Sequence, residues 1–348
     1  MYDQQNFNCP ESALVALERW CMIGEQQVYF LASNRGMGNT FYLRMLKQFM
    51  QDKRTSLPED EAKNYPVAVY FDCALVSPLQ KNSFWNHVIQ TLNEVLHNND
   101  PKKTEKDITE FISDGRLILL IDHADRFLDS QAITNFLAKV GKGRIIFSAT
   151  KPFLGFKQAT GLLEMPRDQY MTASLNLDDL KVKISQMVKR SGMQEKDART
   201  LLTFCENNGL GEITGISNML VILGKHHASL LENLTVENII DLLVREIFLQ
   251  TNREWSDVFG MPLMGLQART LYFLQDHIIR FTEIDAFVQF ICKEYGIAPT
   301  LDDCAKLAKL ILLHPFITLI SSNELGLLKG LDHLGGADSI LRKVLLNS

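Results

Sequence analysis

The sequence predicts an α/β core with a parallel sheet, followed by a helical second half. Two features of the 348-residue chain indicate this. In residues 1–172, short runs that are apolar throughout alternate with amphipathic segments, as in parallel sheets covered on both faces. After about residue 175 only helical spacing recurs, until two short apolar runs flank the polar turn at 321–324.

The elements of the first half follow in order. The predicted strands are residues 27–32, 66–72, 117–121 and 144–149. The predicted helices are 11–22, 41–50, 83–96, 108–113 and 132–140. Residues 98–106 are polar and contain Pro101, so we expect a surface loop.

The second half is predicted to form two further units. Helical spacing covers 177–191, 195–206, 211–225, 236–252, 267–279, 283–295 and 301–313, and strands are predicted at 316–320 and 325–328. Thr300 is expected to cap the helix at 301–313, with Asp302 and Asp303 in its first turn. Three helices before a hairpin have the layout of a winged helix. We expect a core at 1–172, a helical lid at 173–230 and a winged-helix-like domain at 231–348.

Composition excludes several classes of protein. Lys and Arg total 36 against 41 Asp and Glu, a net charge of −5, and no half is strongly basic, so a generally nucleic-acid-coating surface is excluded. Apolar residues make up 46%, which fits a folded domain. The apolar runs are too short or broken for a membrane span, and the polar start gives no sign of a secretory signal. The scattered cysteines lack a C-x-x-C pair, so we expect reduced thiols, no zinc site and a cytoplasmic protein.

A glycine loop lies between the first strand and its helix. Residues 33–40 read S-N-R-G-M-G-N-T. A phosphate-binding loop needs backbone N–H groups at a helix N-terminus, a Lys on the phosphates and a hydroxyl on Mg²⁺. Gly36, Gly38 and Thr40 meet this pattern, whereas Ser33 replaces a glycine and Asn39 replaces the lysine. The alternative interpretation is a plain strand-to-helix turn with two glycines.

Two later strands end in polar groups. The run 117–121 leads into Asp122 and Asp125, the arrangement that holds Mg²⁺ in P-loop NTPases. The alternative is an ordinary buried strand that ends in Asp at the surface. The run 144–150 ends in hydroxyls, among them Ser148.

Together these motifs resemble the AAA+/STAND group of P-loop ATPases over roughly residues 13–230. The loop is similar to G-x-R-G-x-G-K-T, and LILLIDHADRF is similar to L-L-I-D-E-A-D. Residues 207–220 resemble the lid of TniB-type transposition ATPases. The order of core, lid and winged helix resembles origin-recognition-type initiators.

The resemblance implies a site for ATP and Mg²⁺. The nucleotide-binding residues would be Gly36, Gly38, Asn39, Thr40, Asp122, Asp125 and Ser148. Thr40 and Asp122 would hold the metal, and Ser148 stands where the group places a polar sensor of the γ-phosphate.

The departures from the motifs weaken the catalytic expectation. Asn39 is neutral, and His123 stands where the group has a Glu that polarises water. An imidazole accepts a proton but lacks a fixed negative charge. The lid Arg is also absent from 211–220. Losing one such electrostatic group costs on the order of 10²–10³ in rate. We expect a pseudo-ATPase with slow or absent hydrolysis and weak nucleotide binding, although a purely structural site stays open.

Candidate partner surfaces are few. Arg167 is either an arginine finger for a neighbouring subunit or a solvated loop residue. The best local nucleic-acid candidate is a basic helix face, which comprises Lys181, Lys183, Lys189 and Arg190. The helix at 301–313 offers only Lys306 and Lys309 and begins with acids, which favours protein docking over DNA reading.

Three functions fit these observations. The preferred one is a regulatory or scaffold subunit that binds protein partners or its own copies. The second is an ATP-dependent DNA-associated protein, a replication initiator or transposition regulator. The third is a STAND-type signalling or defence switch.

Overall fold

The core is a parallel sheet. The computed structural model describes residues 11–24, 27–74, 81–96, 105–126, 143–161, 170–173, 177, 179–259 and 264–331. The strands are β1 (Val28–Ser33), β2 (Val67–Asp72), β3 (Leu117–Asp122), β4 (Arg144–Thr150) and β5 (Tyr170–Ala173). They pair in parallel in the order β2-β3-β4-β1-β5. The predicted parallel sheet is confirmed, and β5 is an additional short strand at its edge.

Helices cover both faces of this sheet. They are α1 (Glu11–Ile23), α2 (Asn39–Ser56), α3 (Glu59–Asn64), α4 (Lys81–Leu96), α5 (Glu105–Ser113) and α6 (Lys151–Ala159). The short helices α3 and α6 were not predicted. Helix α3 buries no residue, so it leaves no periodic apolar pattern. The helix predicted at 132–140 lies outside the described residues.

Successive side chains of the strands point alternately into two hydrophobic cores, one on each face of the sheet. Phe30 of β1 belongs to the core that also contains side chains of α4, α5 and the second half. Its neighbour Leu31 belongs to the core under α1 and α2. Phe30 stacks on Phe147 of β4 with ring centroids 5.5 Å apart. Both faces of β1 are therefore buried, which explains why its sequence is apolar throughout.

The second half begins with a helical region. Its helices are α7 (Leu180–Ser191), α8 (Glu195–Asn207), α9 (Gly211–Thr214), α10 (Ser217–Lys225), α11 (His227–Glu232) and α12 (Val236–Phe259). The single helix predicted at 211–225 was wrong, because Ile216 is extended at φ −88° and ψ 114° and separates α9 from α10. This break directs the N-terminus of α10 toward the glycine loop, where Asn218 N donates to Gly36 O at 3.1 Å.

The last region combines three helices with a small sheet. It contains α13 (Met264–Asp276), β6 (Ile279–Arg280), α14 (Ile284–Glu294), α15 (Leu301–Leu312), β7 (Ile317–Ser321) and β8 (Glu324–Leu327). The antiparallel order is β6-β8-β7. The predicted Thr300 cap is present, since Asp303 N donates to Thr300 Oγ1 at 3.2 Å. The winged-helix assignment and the domain boundaries stay predictions.

No helix in the described part of the chain is long and apolar enough to cross a bilayer.

The predicted basic face on α7 was wrong for Lys183. Its side chain is 2% exposed and its Nζ donates to Gly211 O and Thr214 Oγ1, each at 3.1 Å. It also forms an ion pair with Glu206. Amphipathic spacing turns this lysine inward, and carbonyl, hydroxyl and carboxylate oxygens compensate its buried charge. Lys181 and Lys189 remain exposed on α7.

Lys183→Met is expected to lower the free energy of unfolding by about 1–3 kcal/mol, because it leaves buried acceptors on α9 without a donor. Urea unfolding followed by circular dichroism measures this. Lys189→Met on the same helix is the control, expected to change stability by less than about 0.5 kcal/mol. Equal midpoints for the two variants would contradict a structural role for Lys183.

Candidate functional site

A cavity of about 1590 Å³ lies at the carboxyl ends of the core strands. Its walls come from the glycine loop, the strand ends, and residues of α7, α10, α12 and α15. All of the residues predicted at the site line it, namely Gly36, Gly38, Asn39, Thr40, Asp122, His123, Asp125 and Ser148. Ligands of open parallel sheets bind in this position.

The glycine loop has a conformation that requires glycine. Gly36 and Gly38 have φ angles of +90° and +95°, a region that other residues rarely adopt. A Cβ on Gly36 would also approach Asn218 Cβ to 3.0 Å. Gly38 precedes the 18-residue helix α2, so the loop lies at the positive end of a helix dipole. The backbone therefore keeps the features of an anion cradle.

The Asn39 side chain is directed into the end of the sheet. Its Nδ2 donates to Leu31 O at 3.2 Å and to Ala149 O at 3.4 Å. Its Oδ1 accepts from Ser33 Oγ at 2.7 Å. The amide thus bridges β1 and β4 with both its donor and its acceptor engaged by the core. At this position the loop presents no positive charge to the cavity.

Asp122 is buried in a network of hydroxyl donors. Its Oδ2 accepts from Tyr70 Oη at 2.8 Å, and its Oδ1 accepts from Ser148 Oγ. Asp72 lies in register with Asp122 on the neighbouring strand and is paired with Arg44 at 3.8 Å. Burial, followed by the Asp122 carboxylate, raises the pKa of Tyr70 above its ordinary value. Tyr70 therefore stays a neutral donor to Asp122.

His123 is held by the same network. Its backbone has φ +51°, and its N–H donates to Asp122 Oδ1 at 2.9 Å and to Ser148 Oγ at 3.1 Å. Its Nδ1 is 2.9 Å from Asp72 Oδ1. The side chain is 45% exposed. The imidazole of His123 is therefore oriented by the carboxylate of Asp72.

Asp125 lies at the end of β4. Its Oδ1 accepts from Thr150 N at 3.0 Å. Burial raises the pKa of Asp125 to about 6, although the Thr150 N–H, Lys309 and His123 lower it in part. Lys309 belongs to α15, so a cation of the last region lies within electrostatic reach of the core carboxylates.

The strand ends carry a donor set that suits a divalent cation. Single ligand atoms of Asp72, Asp122 and His123 lie within 4.8 Å of one another, and Thr40 lines the same cavity. Carboxylate and hydroxyl oxygens suit Mg²⁺, whereas the imidazole extends the set toward transition metals.

The second half holds the glycine loop from outside. Both terminal nitrogens of Arg35 donate to the Glu254 carboxylate of α12, at 2.7 and 2.6 Å. Burial alone would lower the pKa of Arg35, but bonding to Glu254 outweighs it and raises that pKa. Thr318 Oγ1 of β7 donates to Asn34 Oδ1 at 3.2 Å.

Sequence patterns missed several residues of this site. Asp72 was detectable, because it ends the strand beside β3 and parallel strands end at one edge. Arg190 was predicted on a surface face, yet it lines the cavity with Lys309. Nothing local in the sequence indicates the Arg35–Glu254 pair, whose partners are 219 residues apart. Arg167 lies outside the described residues.

The strand order and the loop between β1 and α2 give the core the AAA+ type of P-loop fold. No family model and no curated protein matches this chain.

Solved structures similar to the chain come from several organisms. One is the ORC2 protein of Aeropyrum pernix in ADPNP–ADP complexes, at 12% identity and a TM-score of 0.47, covering 99% of this chain and 96% of that one. Another is a STAND protein of Pyrococcus horikoshii with a tetratricopeptide repeat sensor, at 14% identity and a TM-score of 0.38. That match covers 98% of this chain, which spans only 42% of the STAND protein. A third is the RuvB Holliday junction branch migration motor of Thermotoga maritima, at 13% identity and a TM-score of 0.37, covering 93% of each chain.

Asp125→Asn is expected to stabilise the protein at pH 8 and to lose this advantage toward pH 4. In the folded wild type the pKa of the Asp125 carboxyl is about 6, above the ordinary value of 3.8. Between these values the native state binds more protons than the unfolded state, so stability falls as pH rises. The ionised form costs on the order of 3 kcal/mol above this window, and asparagine keeps the acceptor for Thr150 N.

Urea unfolding at several pH values between 4 and 8 measures the difference. Asp52→Asn on the exposed face of α2 corrects for removing one surface charge. A stability difference that stays constant across this range would contradict a raised pKa at Asp125.

Proposed function

We propose that this chain is a degenerate AAA+/STAND-like regulatory or scaffold subunit with weak nucleotide binding and slow or absent ATP hydrolysis. One observation carries the proposal: the residue at the lysine position is Asn39, whose neutral amide is bonded to the ends of β1 and β4. In this view the core spans 1–172, the lid 173–230 and a winged-helix-like domain 231–348.

The loop retains binding groups but lacks a catalytic charge. The glycine backbone at positive φ and the start of α2 offer N–H groups to a phosphate. A loop lysine would neutralise charge that develops during phosphoryl transfer, and the Asn39 amide is neutral and already engaged. These features support a loop that still binds nucleotide but no longer accelerates ATP hydrolysis.

The strand ends support the same conclusion. His123 donates or accepts at Asp72 through Nδ1, so its ring is oriented by Asp72 and carries no fixed negative charge. Thr40 and Asp122 would hold Mg²⁺, which supplies charge neutralisation on bound phosphates. The nucleotide would be bound by residues that all line the cavity, namely Gly36, Gly38, Asn39, Thr40, Asp122, Asp125 and Ser148.

Surface features of the last region favour protein partners or further copies of this chain. Its exposed large apolar side chains include Leu301 at 84% and Ile278 at 56% exposure. On α15, Lys306 is paired with Asp302 at 2.5 Å. An exposed face with apolar groups and neutralised cations suits a protein better than a phosphate backbone. The buried thiols of Cys21, Cys205, Cys292 and Cys304 suit a reducing cytoplasm.

Asn39→Lys combined with His123→Glu is expected to raise ATP hydrolysis by on the order of 10²-fold, because it restores both electrostatic groups. The wild type is expected to turn over below about 1 s⁻¹, the lower end for kinases. A coupled phosphate-release assay measures both rates.

Gln48→Lys is the matched control, since Gln48 lines the same cavity and the variant adds one positive charge away from the loop. It is expected to leave hydrolysis unchanged. Wild-type turnover faster than the stated limit would refute the pseudo-ATPase proposal. A doubly restored variant that binds ATP yet stays inactive would contradict the assigned roles of positions 39 and 123.

Duplex DNA is expected to bind weakly or not at all, with or without ATP, in fluorescence anisotropy at about 50 mM salt. DNA-associated proteins with several phosphate contacts lose about 10³–10⁵ in affinity between 50 and 200 mM salt. Tight low-salt binding with such a steep loss would favour an initiator or transposition regulator over a scaffold.

A further inference from the structure

We infer that Lys309 of α15 and Arg190 of α7 bind the terminal phosphates of the nucleotide in place of a loop lysine. The inference rests on the nucleotide binding proposed above, and it assigns the phosphate charge to two side chains outside the core.

The core's own cations at the cavity are committed to carboxylates. Among the described core residues that line it, the arginines are Arg35 and Arg44. Arg35 makes two hydrogen bonds to Glu254. Arg44 lies 3.8 Å from Asp72 and 5.1 Å from the Tyr70 ring centroid. The charge for a triphosphate must therefore come from elsewhere in the cavity wall.

Lys309 is positioned at the sheet edge. Its Nζ lies 5.4 Å from the centre of the Phe153 ring, and Phe153 is in the first turn of α6, directly after β4. It is close enough to Asp125 to lower the pKa of that carboxyl. Lys309 is half-buried, whereas Lys306, one turn earlier, is 53% exposed and paired with Asp302. Lys309 thus lies near Phe153 and Asp125, at the carboxyl end of β4.

Arg190 reaches the cavity from α7. One terminal nitrogen donates to Ser217 Oγ at 2.8 Å. Ser217 is the first residue of α10, and the next residue, Asn218, donates its N–H to Gly36 O. The guanidinium is therefore anchored beside the glycine loop, near the N-terminus of α10.

The environment of Arg190 favours an anionic partner. Burial lowers the pKa of Arg190 to about 10. A phosphate beside the guanidinium would favour its charged form. Both cations line the same cavity, and a polyphosphate chain offers negative charge to each of them. Affinity should then increase with the number of phosphates.

Isothermal titration of the full chain tests this with ATP, ADP, AMP and inorganic tripolyphosphate, each with Mg²⁺. Lys309→Gln and Arg190→Gln are each expected to weaken ATP and tripolyphosphate about 10- to 100-fold, the range for charged hydrogen bonds. AMP affinity is expected to change much less. The controls are Lys293→Gln, an exposed lysine of α14, and Lys189→Gln, the residue before Arg190, and both should bind ATP like the wild type.

The outcomes separate this inference from the proposed function. If the wild type binds ATP and both glutamine variants bind it equally well, the inference is wrong and nucleotide binding stands. The same holds if the controls lose as much affinity as the targets. If ATP, ADP and tripolyphosphate all fail to bind the wild type, both proposals are wrong. Lys309→Arg keeps the charge and is expected to retain more affinity than Lys309→Gln. If Arg190→Gln fails to fold, the ATP affinities of Lys309→Gln and Lys309→Arg, compared with the wild type, test the inference.

Discussion

The site depends on how the Asn39 amide joins β1 to β4 at the end of the sheet. Its amide accepts from the Ser33 hydroxyl and donates to the carbonyls of Leu31 in β1 and Ala149 in β4. Buried polar groups without partners are costly, so these hydrogen bonds from a loop side chain stabilise the carboxyl end of the sheet. In a phosphate-binding loop with lysine at this position, the side chain neutralises the ligand. Here the Asn39 side chain bonds to the protein instead. The conformation of the glycine loop therefore depends on the positions of β1 and β4.

Three elements of the second half also contact the glycine loop. Asn218 bonds to the carbonyl of Gly36, Glu254 holds Arg35, and Thr318 donates to Asn34. Each contact is modest alone, about 1 kcal/mol for a neutral hydrogen bond and somewhat more for a charged one. They reach three consecutive loop residues, Asn34, Arg35 and Gly36, and Gly36 has no side chain of its own to restrict the backbone. The loop is therefore ordered by elements that lie far away in sequence.

Much of the fold was predictable, because the signals are local. The alternation of buried strands, the glycines at positive φ and the Thr300 cap each depend on a few neighbouring residues. The break between α9 and α10 was not, since Gly215 and Ile216 interrupt an otherwise helical apolar pattern. The site followed the same division. Asn39 and Asp122 were identified from motifs, whereas Lys183 and Arg190 were assigned to a surface because helical spacing alone does not show which neighbours pack against a face.

Charge explains why the missing loop lysine does not leave a neutral cavity. Asp72, Asp122 and Asp125 remain at the strand ends, and each is stabilised differently: by Arg44, by hydroxyl donors and by the Thr150 backbone. Hydroxyl and amide donors stabilise a carboxylate without cancelling its charge at a distance. These carboxylates oppose a bound polyphosphate, whereas the glycine loop and the start of α2 favour it. In the proposed function, a divalent cation at the carboxylates, cations of the second half, or both would offset the remaining negative charge. The second half lines the cavity together with the core, so its cations are placed to take part.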